Sequence, residues 1–346
     1  MRLRLAGGWG YNNLGDEAIL AGYLGCFEGF GEVEVLSVDP ARTAFAQLSD
    51  VPVRRELFRN SKARSSEGIF ILGGGGYLNG SWRREIFLKL KRLNASRGSF
   101  PSVYHALEVR GLNIPIARRM SRNLFDGATV SVRDTASADA ASLLGSGAPE
   151  IVPDAISLLR PHIHRYIGGD LGTDGKILLN LLDIGSRADR HEAEVDTSSW
   201  LQFCQSLIHA LQDQAVGLIV GGGDYRFMQM FPELQLFQPR SVKELVTAIA
   251  RSSGMFSVRM HPALLGTMLN VPTMAVPYCG KVRPTLRKIG LEDVIASELV
   301  HSEISDRLFK SNVDFDSAWE AASRASAAWL HNNIAATSEG RNSAPW

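Results

Sequence analysis

An α/β fold built from two doubly wound halves is the class this sequence predicts, and three features predict it. Short apolar runs recur and end in glycine turns, as at Gly68–Leu72 before Gly73–Gly76 and at Val216–Val220 before Gly221–Gly223. Segments of helical composition follow those turns, which is the alternation of parallel strands with crossover helices. A chain of 346 residues also exceeds one ordinary core, since domains centre on about 150 residues.

The first strand is Arg2–Ala6, which opens into a loop holding Gly7, Gly8, Gly10, Asn12, Asn13 and Asp16 before a helix from about Glu17 to Phe27. Glu32–Val38 alternates like a second strand, and Gly68–Leu72 reads as a buried one. Ser102–Glu108 and Ala128–Val132 follow, the latter ending at Arg133-Asp134 ahead of a helical Thr135–Leu144. The polar, glycine-containing stretch His162–Gly175 reads as a linker. The pattern then restarts with a strand at Ile177–Leu182, a helix at Ser198–Gln212 and a strand at Val216–Val220. Ser241–Ser252 is a helix with Ser241 and Glu244 at capping-box spacing. Met255–Val258 is a strand that runs through Arg259 into a helix opening with Pro262 and closing at Asn270, after which Thr273–Val276 is the next strand. Ser317–His331 is a terminal helix, and the last dozen residues read as loose. The domains expected are 1–165, 172–316 and a terminal helix with tail over 317–346, the two halves flanking a cleft.

Composition narrows the function classes. The chain is 45% apolar and 21% charged with a net charge of +1, so any anion site must be local rather than a property of the whole molecule. Cys26, Cys204 and Cys279 are odd in number and far apart, which suits a reducing compartment and argues against a disulfide framework. The first strand begins at once, without a signal-peptide core, and no apolar run approaches the roughly 18 residues of a membrane span. A cytoplasmic protein is expected.

The first loop is neither a dinucleotide fingerprint nor a P-loop, because its glycines are wrongly spaced and no Lys-Ser/Thr pair follows. Asn12, Asn13 and Asp16 suit hydrogen bonds to hydroxyls; a plain strand–helix turn reads equally well. Gly73–Gly76 is either an anion nest or a site of close packing. Arg133 is either paired to Asp134 or a fork for a carboxylate or phosphate. Arg259 and His261 carry more weight, since a fixed charge and an imidazole flank a helix N-terminus at a strand's C-terminal end. Lys281 lies past the next strand, within reach of the same ligand. His162 and His164 have no metal-ligand spacing, so no metal is expected. Serine hydrolysis is disfavoured because no G-x-S-x-G elbow occurs.

Five motifs in this order, GGWGYNNLGDEAIL, FILGGGGYLN, SVRDTASADA, VPDAISLL and SVRMHPALLGTMLNVPTMAVPYCGKV, resemble the polysaccharide pyruvyl transferase family over about residues 5 to 290. The resemblance implies a glycosyltransferase-B-like pair of Rossmann-like domains. It also implies transfer of the pyruvyl part of phosphoenolpyruvate to a sugar, with a pyruvate ketal formed and phosphate released. The family's Arg-x-His motif corresponds to Arg259 and His261, its Arg-Asp motif to Arg133 and Asp134, and its late lysine to Lys281. The sequence departs from the family at His105–Gly111, where a glycine-rich turn is usual, and at Ala155, which follows Asp154 in place of proline.

On that resemblance Arg133, Arg259 and Lys281 are expected to bind the donor, His261 to act as acid–base group and Asp16 to deprotonate or orient the acceptor hydroxyl. Asn12, Asn13, Gly75 and Gly76 are expected on the acceptor side, which is assigned to the N-terminal domain, with the donor in the C-terminal one. No cofactor beyond phosphoenolpyruvate as co-substrate is implied. The expected partners are phosphoenolpyruvate and a sugar or lipid-linked glycan acceptor, without nucleic acid. The resemblance leaves room for peripheral membrane association through the acceptor and for a homo-oligomer. A nucleotide-sugar glycosyltransferase on the same architecture, or a non-catalytic glycan-binding relative, are the alternatives.

Overall fold

The computed structural model describes residues 1–47, 51–56, 68–80, 83–112, 114–169, 173–187, 190–296, 299–300, 304, 306–308 and 314–342. Two compact units emerge: residues 1–11, 16–159 and 322–346 form the first, and 12–15 with 160–321 the second. Each is a parallel α/β sheet with helices between its strands.

In the first unit the elements run β1 (Arg2–Ala6), α1 (Leu14–Cys26), β2 (Glu32–Ser37), α2 (Pro40–Ala46), β3 (Val53–Arg55), β4 (Ile69–Leu72), β5 (Gly75–Asn79), α3 (Arg83–Arg97), β6 (Ser102–Arg110), α4 (Pro115–Phe125), β7 (Ala128–Val132), α5 (Thr135–Ser142) and β8 (Glu150–Ile151). The strand order is β3-β2-β1-β4-β6-β7-β8, with β5 also pairing β6, and the pairings are parallel. Ile69–Leu72 is buried throughout, as a strand covered on both faces must be. Each fully buried Leu or Ile side chain in such a run contributes about 1.5–3 kcal/mol.

The second unit holds β9 (Ile177–Asn180), α6 (Trp200–Leu211), β10 (Ala215–Leu218), α7 (Gly222–Met228), β11 (Gln235–Phe237), α8 (Val242–Arg251), β12 (Gly254–Ser257), α9 (Met260–Met268), β13 (Thr273–Ala275) and α10 (Val282–Ile289). Its sheet order is β11-β10-β9-β12-β13, again parallel, so β9 and β12 lie at its centre. Ser241 accepts a hydrogen bond from the Glu244 amide at 3.2 Å, but Glu244 reaches back to the Arg240 amide at 2.8 Å, one residue earlier than a capping box requires.

Four expectations change. In place of a loose linker, Ala155–Tyr166 winds as consecutive 3-10 turns with Pro161 inside, and residues 170–172 of that stretch lie outside the described residues. Helix α9 starts at Met260 rather than Pro262, and Gly221–Asp224 opens a helix instead of a bare loop. The terminal helix, α11, extends over Asp316–Asn342, so most of the tail expected to be loose is helical. Its spacing explains the extension: Ser326, Leu330 and Ile334 recur every four residues, are fully buried in the first unit and anchor the last turns.

Candidate active site

In the second unit, the strand ends of β9, β10 and β12 set the geometry. Asn180 closes β9 and is fully buried, with every polar atom used. Its Nδ2 donates to the Leu218 carbonyl at 2.9 Å and to Asp224 Oδ2 at 3.0 Å. Its Oδ1 accepts from the Arg259 amide at 3.1 Å and from Ser257 Oγ at 3.2 Å. Asp224, also buried, accepts the Val220 and Gly221 amides at 3.0 and 3.1 Å through Oδ2. Its Oδ1 takes Arg259 Nε at 2.6 Å. The guanidinium is thereby aligned by one edge, and Arg259 keeps 24% of its side chain exposed. A Cβ at Gly221 would come within 2.8 Å of Arg259 Nη2, so a side chain there would displace the guanidinium from its present place.

Arg259 has extended backbone and precedes α9, whose first turn receives no side-chain cap. The helix dipole at that turn favours an anion. His261 lies in the same turn and is mostly buried. Residues 12–15 cluster with this unit: the Leu14 amide bonds the Val220 carbonyl at 3.2 Å, and Asn13 bridges to Gly221. Gly15 packs so tightly on the imidazole that a Cβ would lie 2.8 Å from His261 Nδ1. Asn12 takes the left-handed conformation (φ 60°) that lets the loop make this turn.

Tyr278 locates a third cation. Burial raises its phenol above the ordinary value, while the charges of Lys281, Arg187 and Arg259 act in the opposite direction. The Arg187 guanidinium lies over the Tyr278 ring at 4.8 Å, within cation–π range. Lys281 is the N-cap residue of α10. Sequence reading missed Arg187, Asn180 and Asp224's role as an aligning carboxylate. The available signal was Asn180, a lone amide inside the apolar run Ile177–Leu182.

Arg133 is placed differently from expectation. It is 1% exposed, bonded to Asp154 Oδ2 at 2.9 Å and to Glu108, with Asp134 at 3.9 Å. Burial alone would depress the guanidinium, but Glu108, Asp154 and Asp134 outweigh it and raise its pKa. All these residues belong to the first unit. The geometry places Arg133 in a buried ion cluster with Glu108, Asp154 and Asp134.

Asp16 and Gly75 also belong to the first unit, apart from the clustering of Asn12 and Asn13. Gly75 has φ 98° and approaches Asp16, where a Cβ would lie 3.2 Å from its carboxylate; Gly76 is half-buried in β5. Gly74 instead serves packing, its amide donating to Tyr23 Oη at 3.1 Å. Glu17 shapes the preceding loop by accepting the Gly10 amide at 2.8 Å and Gln47 at 3.0 Å.

Beside Asp16 lies a buried cluster. Tyr77 Oη donates to Glu56 at 2.9 Å, and Lys89 Nζ lies 4.9 and 5.1 Å from the ring centres of Tyr11 and Tyr77. Burial lowers the Lys89 ammonium, partly offset by Glu85, Asp16 and Glu56. Glu56 is pushed up to about 7 from an ordinary 4.5, chiefly by burial and against its bond to Tyr77. The native state thus holds this proton more tightly than the unfolded chain, and stability falls as pH rises from about 4.5 to about 7. Glu56→Gln is expected to remove that fall, a difference of about 3 kcal/mol at neutral pH. Denaturant titrations of both proteins at both pH limits check it; parallel curves would overturn it.

Among the described residues no group of three His, Cys, Asp or Glu side chains has metal-holding geometry, and no helix is long and apolar enough to cross a membrane.

Comparison with known proteins adds two findings. A family model described as polysaccharide pyruvyl transferase matches residues 13–280. Among solved structures, the UDP-GlcNAc 2-epimerase of Methanocaldococcus jannaschii superposes with a TM-score of 0.56 at 9% identity, covering 97% of this chain and 99% of that one. A putative UDP-N-acetylglucosamine 2-epimerase of Listeria monocytogenes gives 0.56 at 10% identity, covering 98% and 96%. Anabaena Alr3699/HepE in complex with UDP-glucose gives 0.51 at 11% identity, covering 98% and 99%. At such identities the likeness shows the fold, a glycosyltransferase-B-like pair of Rossmann-like units. A search of curated proteins found no match.

Proposed function

The chain belongs to the polysaccharide pyruvyl transferase family, and from that premise we propose that it transfers the pyruvyl group of phosphoenolpyruvate to two hydroxyls of a sugar in a cell-surface glycan or its precursor. The observation that carries the reading is the second unit's strand edge, where Arg259, aligned by Asp224, is the N-cap residue of the helix that holds His261, Lys281 is the N-cap residue of α10, and Arg187 lies over the Tyr278 ring at 4.8 Å. Phosphoenolpyruvate is small and doubly anionic, so cations fixed at close separation suit its carboxylate and phosphate. Arg187 takes the place that Arg133 was expected to fill.

In this scheme His261 delivers a proton to C3 of the enol, which makes a methyl group and leaves C2 oxocarbenium-like. One sugar hydroxyl adds to C2 and gives up its proton, restoring the imidazolium. The second hydroxyl then displaces phosphate, which leaves with that hydroxyl's proton. Asp16 is assigned to orient the acceptor hydroxyl. The scheme calls on no cofactor, and a cytoplasmic reaction is part of the proposal.

Calorimetric titration with phosphoenolpyruvate tests the donor. The wild type is expected to bind, and Arg259→Ala and Arg187→Ala each to weaken binding by on the order of 100-fold. Thermal melts separate lost binding from lost folding, since Arg259→Ala also strips the partner from Asp224. A nucleotide sugar that binds where phosphoenolpyruvate does not would replace this reading with a glycosyltransferase.

A further inference from the structure

Helices α3 and α4 pack side by side on the first unit. Lys91 of α3 and Arg118, Arg119 and Arg122 of α4 are exposed, with Arg92 and Arg97 half-buried beside them, and Glu85 is the one acid in the two helices. That is a local cationic face on a chain whose net charge is only +1. The same face shows Leu88 at 49% and Ile116 at 64% exposure, the only large apolar side chains of the two helices so exposed among the described residues. Between the helices runs an open groove of about 450 Å³ lined by Lys91, Asn94, Arg97, Met120 and Asn123. Leu88 precedes Lys91 by one turn, and Ile116 precedes Met120 by one, so both apolar groups fall on the groove's rim by helical spacing.

We infer that the α3–α4 face docks on an anionic phospholipid surface, with Leu88 and Ile116 entering the headgroup layer and the arginines meeting lipid phosphates. Charge complementarity selects an anionic partner, and the exposed aliphatic pair, which a phosphate backbone would leave in water, favours a membrane over nucleic acid. The groove-lining Asn94, Arg97 and Asn123 lie in the last turns of α3 and α4, and the docking does not rest on the proposed transferase reading.

Flotation with vesicles of phosphatidylcholine alone, or mixed with phosphatidylglycerol, tests it without any substrate. The wild type is expected to partition onto the mixed vesicles at low salt and to ignore the neutral ones. Changing Arg118, Arg119 and Arg122 together to Gln should weaken partitioning by on the order of 100-fold, since each cation near such a surface contributes about fivefold. Leu88→Ser with Ile116→Ser should weaken it by about tenfold. These positions are exposed, and circular dichroism checks that the fold is kept. Equal partitioning of wild type and triple variant, or no preference for the anionic vesicles, would overturn the inference. So would binding to duplex RNA as tight as to vesicles with no effect of the Leu88 and Ile116 changes. Pyruvyl transfer can fail independently, because these assays contain neither donor nor acceptor.

Discussion

Arg133→Met is expected to cost about 3–5 kcal/mol of stability, because it strips the buried Asp154 carboxylate of its guanidinium and leaves buried Glu108 with Arg110 alone, at 3.3 Å. The pairing is close on both sides, and Arg133 is 1% exposed, so water cannot take over the lost charge. Denaturant titration of the wild type, Arg133→Met and the triple variant Arg133→Met/Glu108→Gln/Asp154→Asn checks the account. The triple variant should regain much of the loss, since removing all three charges together is far cheaper than leaving the two carboxylates without their shared cation. Phosphoenolpyruvate binding by whatever fraction of Arg133→Met remains folded should match the wild type. A stable Arg133→Met protein that no longer binds phosphoenolpyruvate would return Arg133 to the donor site and displace Arg187 from it.

Arg133 also shows what could be read from the sequence and what could not. The strand ends were legible because an apolar run followed by a polar residue marks where a parallel strand leaves the sheet, and both Arg133 and Arg259 follow such runs. Which of the two keeps an accessible edge depends on partners 25 and 21 residues away for Arg133, Glu108 and Asp154, and 35 residues away for Arg259, Asp224. No local pattern encodes those pairings. Arg187 was hidden for a related reason: it sits in an irregular segment after β9, where neither period nor motif flags it. Helix α3 shows the limit on fold. Its buried stripe is Ile86, Leu90 and Leu93, spaced four and three residues apart but crowded by Arg and Lys, so the apolar signal is weak by inspection. The division of the first loop was likewise beyond reach. Asn12–Gly15 clusters with one unit and Asp16 with the other, although the four residues and the fifth are contiguous.

The segment His105–Gly111, where the sequence departs from the family pattern, carries the second large effect, and it is one of stability. β6 shifts register between Tyr104 and Leu107, and Ala106 adopts φ 52°, a conformation natural to glycine and strained for alanine. His105 is fully buried there. Its Nδ1 meets Tyr23 Oη at 2.7 Å, its Nε2 meets Ser326 Oγ of α11 at 3.0 Å, and its ring stacks on Trp329 at 5.5 Å. The imidazole thus ties the terminal helix to the centre of the first unit's sheet. Burial pushes its pKa down from 6.5 to about 3, against the opposing pull of Asp154.

A depressed histidine leaves stability untouched above the unfolded value and erodes it below. From about pH 6.5 down to about 3 the unfolded chain binds a proton that the native state refuses, so stability falls with pH across that window. The full loss is about 5 kcal/mol, of which about 3 has accrued by pH 4. Between about 4.5 and 6.5 the Glu56 effect runs in the opposite sense and masks part of it, so the wild type alone cannot reveal either group. His105→Gln isolates the term: it should be less stable than the wild type at pH 7.5, having lost the stacking on Trp329, and at least as stable at pH 4. Amide exchange should report the same crossover in α11, with Leu330 and Ile334 losing protection in acid in the wild type more steeply than in the variant. If the two proteins keep a constant gap across the window, the imidazole is not held neutral by its burial, and the strained bulge at Ala106 has some purpose other than placing it.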